Sequence, residues 1–429
     1  MDAVAIGVDF GTTNTVVAIA GKSGRVDVQR FETPGGLIEA YRSALLFFRE
    51  GKLPNEKIAH LSGPTALERA LDIESDHRYL QSLKTYLGSA AFEDTYLLGR
   101  RYLLEELIGL FLGDVLPLEM RDLPIVAGRP VVFAGDRANE TLALERLTRA
   151  YRNAGAKRID FAFEPSGAAY WYARDLTRAE TVLVADFGGG TSDFSIMRFE
   201  PSADGLRSEP LSHAGIGIAG DTFDFRIVDQ VVSPRLGKGS RYRSFGKLLP
   251  LPAHYHATFA QWHKLSLLKS PRTLGELRRL VKQSENPQAI EDLIRVVEDD
   301  LGYQLYLAVS EAKVRLSSAE RTTFHFSAAG LDIEAEIARG EFEGWIESDV
   351  MAVGRTIDLA LDRAGLEVNE VHAVFMTGGT SYVPAVRRLF EERFGSERLR
   401  YGDAFNSVAS GLALIGADMA RQQRRIAPS

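Results

Sequence analysis

Residues 182–196 read VLVADFGGGTSDFSI: an apolar run, Asp186, three glycines at Gly188, Gly189 and Gly190, and a second alternating run. Alternation on both sides predicts two strands, and the glycines between them a tight hairpin turn. Glycine also lets backbone N–H groups close on an anion, so the same turn reads equally as a phosphate cradle. A second stretch carries the reading further. Residues 5–19, AIGVDFGTTNTVVAI, superpose on 183–197, LVADFGGGTSDFSIM, with Asp9 on Asp186, Gly11 on Gly188 and Thr13 on Gly190. Two hairpins of one template predict a duplicated fold with two related lobes.

Composition narrows the class. A chain of 429 residues has room for two or three domains, and 45% hydrophobic with 25% charged residues is the make-up of a soluble globular protein. A net charge of -7 argues against a nucleic-acid partner. The absence of cysteine excludes disulfides, thiol catalysis and thiolate metal sites, and the eight histidines show no metal-ligand spacing. No apolar run approaches the ~20 residues that span a bilayer. The opening MDAVAIGVDFG reads as a strand and not as a signal segment, so a cytoplasmic location without a membrane partner is expected.

Strand and helix signals alternate around the hairpins, which predicts α/β layers. Residues 123–135 read as a buried strand, followed by a helix that stops at Gly155. Residues 158–176 read as strand, turn at Glu164-Pro165-Ser166, then helix. Residues 372–395 read as strand, Gly378-Gly379 turn and helix, which places those glycines where backbone donors and the helix dipole favour an anion or polar ligand. The basic stretch SPRLGKGSRYRSFGKLLPLP (233–252) reads as a solvated connection. LGELRRLVKQS and QAIEDLIRVVEDDLGYQLYLAVSEAKVRL follow as helices, with Trp262 and Trp345 as core residues.

The polar residues at the junctions are Asp9, Thr12, Thr13, Glu164, Asp186, Thr191 and Asp193. Nucleotide hydrolysis needs these types: backbone donors and hydroxyls for phosphates, acidic groups for hydrated Mg²⁺, and a carboxylate to orient water. No Walker sequence is present, so two facing hairpins would grip the phosphates. Each residue also has a plainer reading. The plainer reading of Lys84 is a solvated charge, and that of Glu164 a turn residue; only for Asp193 does a turn role weigh equally. Asp9 and Asp186 are harder to explain away, because an acid at the end of an apolar strand is costly to bury without a cation or donors.

IGVDFGTTNT, VADFGGGTSDFS and FMTGGTSYVP resemble the phosphate-1, phosphate-2 and adenosine motifs of the actin and hexokinase ATPase superfamily. DFGTT, DFGGGTSD, FEPSGAA, LKTYLG and IAGDTFDFRIV, in that family's set, resemble the nucleotide-binding domain of the seventy-kilodalton heat-shock chaperones, over residues 4 to about 416. The resemblance implies an α/β two-lobed actin-like ATPase fold with duplicated ribonuclease-H-like subdomains and two smaller outer subdomains. Lobe I would span 1–180, with an outer part at about 35–115, and lobe II 181–429, with an outer part at about 229–310. It implies ATP/ADP and Mg²⁺ as cofactors, slow hydrolysis as a conformational switch, and hinge motion of the lobes. Asp9 and Asp186 would hold Mg²⁺ through water, and Lys84, Glu164 and Thr191 would complete the catalytic set. Gly11, Thr12, Thr13, Asn14, Gly188, Gly189 and Gly190 would contact phosphates. Gly220, Asp221, Lys313, Ser317, Gly378, Gly379, Thr380 and Tyr382 would line the rest of the nucleotide.

Three departures qualify this. Val314 and Tyr382 stand where the family brackets adenine with arginines, which removes an arginine stacking contribution. The stretch NSVASGLALIGADMARQQRRIAPS resembles the family's last nucleotide-domain helix, so a stand-alone member without the peptide-binding domain is expected. Asp160 and Phe163 replace the arginine and asparagine of the J-domain signalling face, so ordinary co-chaperone coupling is expected to be weak, with an unidentified protein partner in its place. The alternatives are a non-hydrolysing nucleotide-binding module, an actin-like filament protein, and a sugar or acyl-phosphate kinase on the same fold.

Overall fold

The computed structural model describes residues 2–33, 35–51, 56–73, 76–135, 137–202, 205–402 and 406–426. The chain forms two compact units: Met1–Ala219 with Ala352–Ser381 and Arg388–Ser429, and Gly220–Met351 with Tyr382–Arg387. Both hairpins of the duplicated template fall in the first unit.

Ten strands of this unit build two sheets. They are β1 (Ala3–Phe10), β2 (Asn14–Gly21), β3 (Val26–Val28), β4 (Pro124–Arg129), β5 (Arg158–Phe163), β6 (Glu180–Phe187), β7 (Ser192–Ser202), β8 (Gly205–Ile216), β9 (Ala373–Thr377) and β10 (Leu399–Tyr401). The first sheet runs β5-β4-β1-β2-β3, with Tyr41–Arg42 also pairing with β2; the second runs β10-β9-β6-β7-β8. In each, three parallel strands are followed by two antiparallel ones in the same order. The sequence duplication is thus a duplication of topology. Even the turns match: the Gly11 N–H donates to the Asn14 carbonyl at 3.0 Å and the Gly188 N–H to the Thr191 carbonyl at 2.9 Å.

Six helices matter for the site: α1 (Leu104–Val115), α2 (Glu140–Asn153), α3 (Glu164–Ala173), α4 (Arg339–Ala364), α5 (Pro384–Phe394) and α6 (Asn406–Ile426). Strand alternation sends Ile6, Val8 and Phe10 to a core with Leu107 and Phe111 of α1 and Leu147 and Tyr151 of α2. On the other face of the first sheet, Val16, Ala18 and Ala20 meet Ala409, Ala413 and Ala417 of α6. In the second half, Val182, Val184 and Phe199 pack against Ala168, Ala169 and Ala173 of α3. Helix α3 follows β5 in the first half and α6 follows β10 in the second, so each crosses to the other half's sheet. They meet at a pair of glycines. A Cβ on Gly411 would collide with the Gly167 carbonyl, and one on Gly167 would fall 2.7 Å from the Val408 carbonyl.

The first unit also holds an antiparallel sheet in which Ala44–Glu50 is flanked by Lys57–Ser62 and His77–Gln81. The second unit holds two hairpins, Arg241–Ser244 with Lys247–Pro250 and Arg321–Ala328 with Leu331–Ala338. Its helices include Gly220–Ile227, Pro271–Val281, Pro287–Glu298 and Gly302–Ser318.

Local expectations need correction in places. The strand read over 123–135 ends at Arg129, because Pro130 has no N–H to continue the ladder. No turn separates β5 from α3: Glu164 is already the first helical residue, and Pro165 suits a helix start. The stretch at 233–252 is solvated in its hairpin part as expected, but it is an ordered hairpin and not an irregular loop. The long helical run after residue 287 is two helices, interrupted where Asp300 takes φ 54°. Trp345 is half-buried on α4, not a core residue, and the side chain of Trp262 lies outside the described residues.

The glycine contact gives a test. Gly411→Ala should destabilise the protein by about 1–3 kcal/mol or more through overpacking, read as a lowered midpoint in urea unfolding. An unchanged midpoint would mean that α3 and α6 do not meet at this point.

Candidate active site

Strand alternation places the two aspartates. On β1, Gly7 and Asp9 lie on the face opposite Val8 and Phe10, so Asp9 ends the row that faces α6; on β6, Asp186 ends the row of Val182 and Val184 that faces α3. Glu164 projects from the first residue of α3, beside Gly128 of β4, where a Cβ would stand 2.9 Å from the Glu164 Cγ. Small residues therefore clear the space in which the acids gather.

Lys84 reaches the same place from a 3₁₀ turn, Leu83–Tyr86. Its Nζ donates to Glu164 Oε1 at 2.6 Å, and both side chains are buried. The solvated reading of Lys84 is thereby excluded. The turn is fixed from behind by Arg146 of α2, a buried guanidinium that donates to the carbonyls of Tyr86, Leu87, Ser89 and Phe92 at 3.2, 3.1, 2.9 and 2.6 Å. Sequence reasoning missed Arg146, since carbonyl acceptors leave no side-chain signature.

The electrostatics are one-sided. Burial, followed by the Glu164 charge, pushes Asp9 up to about 7, with Lys84 pulling the other way. Burial, with Glu164, Asp9 and Asp193 adding to it, holds Asp186 well above the carboxylate range. Burial works against the Lys84 ammonium, but Glu164, Asp9 and Asp186 outweigh it and raise its pKa. One cation thus faces three carboxylates, an arrangement that a further cation would relieve.

Asp193 plays a different part. Its Oδ1 accepts from the Val131 and Val132 N–H groups at 2.8 and 3.3 Å, and Thr191 Oγ1 donates to its Oδ2 at 2.6 Å. It therefore takes up the donors beyond the end of β4 and ties the second hairpin to the first half of the fold. The hairpins also face each other: a Cβ on Gly190 would lie 3.7 Å from Thr12 Oγ1. Thr12 is buried, while Gly11, Thr13, Asn14, Gly189, Gly190 and Thr191 are half-buried and Gly188 is exposed. Gly378 completes this edge. It has φ 85°, and a Cβ there would collide with the Phe187 carbonyl, so only glycine brings the β9 turn against β6. Gly379 is exposed and Thr380 buried.

The first unit thus brings together Asp9, Gly11, Thr12, Thr13, Asn14, Lys84, Glu164, Asp186, Gly188 to Gly190 and Thr191, with Gly378, Gly379 and Thr380 on β9 and its turn. Gly220, Asp221, Lys313, Ser317 and Tyr382 belong to the second unit. There Lys313 Nζ lies 2.8 Å from Asp224 and donates to the Gly220 carbonyl at 3.1 Å. Asp224 was not anticipated. Val314 and Tyr382 are exposed, at 64% and 50%.

Magnesium fits this donor set. Asp9 and Asp186 present hard carboxylate oxygens that would hold the ion through its water, and its charge would offset the excess of acidic groups over Lys84 that keeps both pKa values raised. Among the described residues no cluster of three or more His, Cys, Asp or Glu forms an all-protein metal cage.

Comparison with known proteins agrees with the fold. A family model described as Hsp70 protein matches residues 289–425. The chaperone protein DnaK of Thermus thermophilus is 23% identical over 423 residues, 96% of this chain and 60% of the relative. Those of Mycoplasmopsis synoviae and Halobacterium salinarum are each 24% identical, over 97% and 96% of this chain and 59% and 55% of their own. The chain therefore spans less than two thirds of the length of these relatives. Match and coverage together support an Hsp70-family nucleotide-binding domain with the actin-like ATPase fold. No helix among the described residues is long and apolar enough to cross a membrane.

Asp193 gives a pH test. Burial raises its pKa to about 7, against the hydrogen bonds from Thr191, Val132 and Val131, while the unfolded value stays near 3.8. Between those values the folded state holds a proton that the unfolded chain has released, so stability falls as pH rises from about 4 to 7. Asp193→Asn should flatten that part of the slope in urea unfolding across pH; an unaltered slope would show that Asp193 titrates as an ordinary carboxylate.

Proposed function

We propose that this Hsp70-family nucleotide-binding domain binds Mg·ATP between its two glycine hairpins and hydrolyses it slowly, as a conformational switch. The observation that carries the reading is the buried Lys84–Glu164 pair at 2.6 Å, set among Asp9 and Asp186. A charged lysine in a pocket of acids is expensive as a structural device and apt as a partner for phosphate.

Roles follow from placement. The Gly188–Gly190 backbone, with Thr12 and Thr13, would hydrogen-bond phosphate oxygens. Asp9 and Asp186 would hold the metal, which when bound offsets phosphate charge. Lys84 would reach the terminal phosphate once its contact with Glu164 loosens, and Glu164, freed, would orient water and accept its proton. Thr191, bonded to Asp193, would keep the second hairpin at its working height. Asp193, spanning both halves, would transmit the presence or loss of the terminal phosphate to the fold, and motion about a hinge would be the output. The exposure of Val314 and Tyr382 favours a second reading, a module that binds nucleotide without hydrolysing it, because the base would have a weaker grip.

Single-turnover hydrolysis of Mg·ATP by the wild type and Asp186→Asn separates these. Slow turnover in the wild type, reduced about 100-fold or more in the variant, is expected. Binding without turnover in the wild type would establish the second reading, and neither binding nor turnover would refute both.

A further inference from the structure

Between Asp229 and Glu276 the sequence has no acidic residue and carries eight lysines and arginines, in a chain whose net charge is -7. Some of this charge is used internally: Lys238 pairs with Asp229, Lys269 with Asp300 and Arg272 with Glu276. Arg241, Arg243 and Lys247 are not. All three are exposed, and no carboxylate among the described residues pairs with them. They stand on the hairpin Arg241–Ser244 with Lys247–Pro250, whose register pairs Arg243 with Leu248 and Tyr242 with Leu249. Arg241, Arg243, Leu248 and Pro250 therefore share one face. The hairpin is held rigidly from its base side, with the Arg243 N–H on the Gln283 carbonyl at 2.8 Å and the Glu285 N–H on the Arg241 carbonyl at 2.9 Å.

Its turn is Phe245-Gly246, with φ 47° and 74°. A two-residue turn with both φ values positive ordinarily takes Asn-Gly, and a bulky aromatic at the first place is strained. Phe245 gains nothing from the fold in return: its relative exposure is 103%, and Leu248 and Leu249 behind it are 38% exposed. An aromatic ring held out at the tip, with Arg243 and Lys247 two residues from it and Arg241 four, reproduces the layering of an anionic membrane surface, where hydrocarbon lies beneath phosphates. A convex tip offers no groove to a protein partner, and one ring offers no platform for successive nucleic-acid bases.

We propose that this hairpin is a peripheral docking element for an anionic lipid surface, with Phe245 entering the interface and Arg241, Arg243 and Lys247 meeting lipid phosphates. The expectation of no membrane partner rested on spanning segments and does not bear on a surface contact of this kind.

Co-sedimentation of the full chain with vesicles tests it, comparing phosphatidylserine and phosphatidylcholine in equal parts with phosphatidylcholine alone. Two variants serve: Phe245→Asn, which suits the turn and so preserves the hairpin, and Arg241→Glu with Arg243→Glu. Binding only to the mixed vesicles, abolished by high salt and by the charge reversal and weakened about tenfold by Phe245→Asn, is expected. Failure of the wild type to bind the mixed vesicles, or equal binding by Phe245→Asn, would overturn the proposal. So would salt-sensitive binding to polyglutamate or duplex DNA while the vesicles stay bare, which would point to an acidic macromolecule instead.

Discussion

Two helix backbones touch at Gly167 and Gly411, and the first unit is arranged around that contact. Because α3 and α6 each leave their own half and pack on the other's sheet, neither half can bury its apolar face alone. Bringing the helices this close requires glycine at both positions, and the sheets approach as a consequence. The same economy of side chains recurs at Gly7, where a Cβ would collide with the α6 backbone, and at Gly128, which makes room for Glu164. The acids are then not attracted to one another; they are carried together by apolar packing that tolerates nothing larger than a hydrogen at these places.

What that packing creates is an electrostatic imbalance. Asp9, Glu164 and Asp186 converge on one ammonium, and burial raises Asp9 and Asp186 toward the neutral form. A site of this sort has two states to choose between: protons on the carboxylates, or a cation among them. Lys84 is itself pinned through Arg146 and its four carbonyl acceptors, so the cationic arm is preorganised and not merely nearby. Asp193 supplies the remaining rigidity by converting the end of a strand in one half into a bond with a hairpin of the other.

Much of this was legible in the sequence. The Asp-Phe-Gly repeats predict two hairpins of one template, and the structure extends the likeness to strand order and to the turn hydrogen bonds. Legibility failed wherever a side chain acts on backbone. Asp193 bonds N–H groups some sixty residues away in sequence, and Arg146 bonds carbonyls, so neither leaves a residue-type pattern to find. Pro130 marks the end of β4, but the apolar Val131, Val132 and Phe133 that follow it continue a strand-like pattern. Phe245-Gly246 was hidden for a different reason: the basic composition around it resembles an ordinary solvated loop, and the hairpin register emerges only from pairing.

If the hairpins form one phosphate site, affinity should reside in the phosphates and the metal, not in the base. Calorimetric titration with ATP, in the presence of Mg²⁺ and after its chelation, beside titration with adenosine, measures this directly. Tight binding of Mg·ATP, marked weakening on chelation and the weakest binding by adenosine is the expected order. Adenosine binding as tightly as Mg·ATP, or ATP binding indifferent to chelation, would contradict the account.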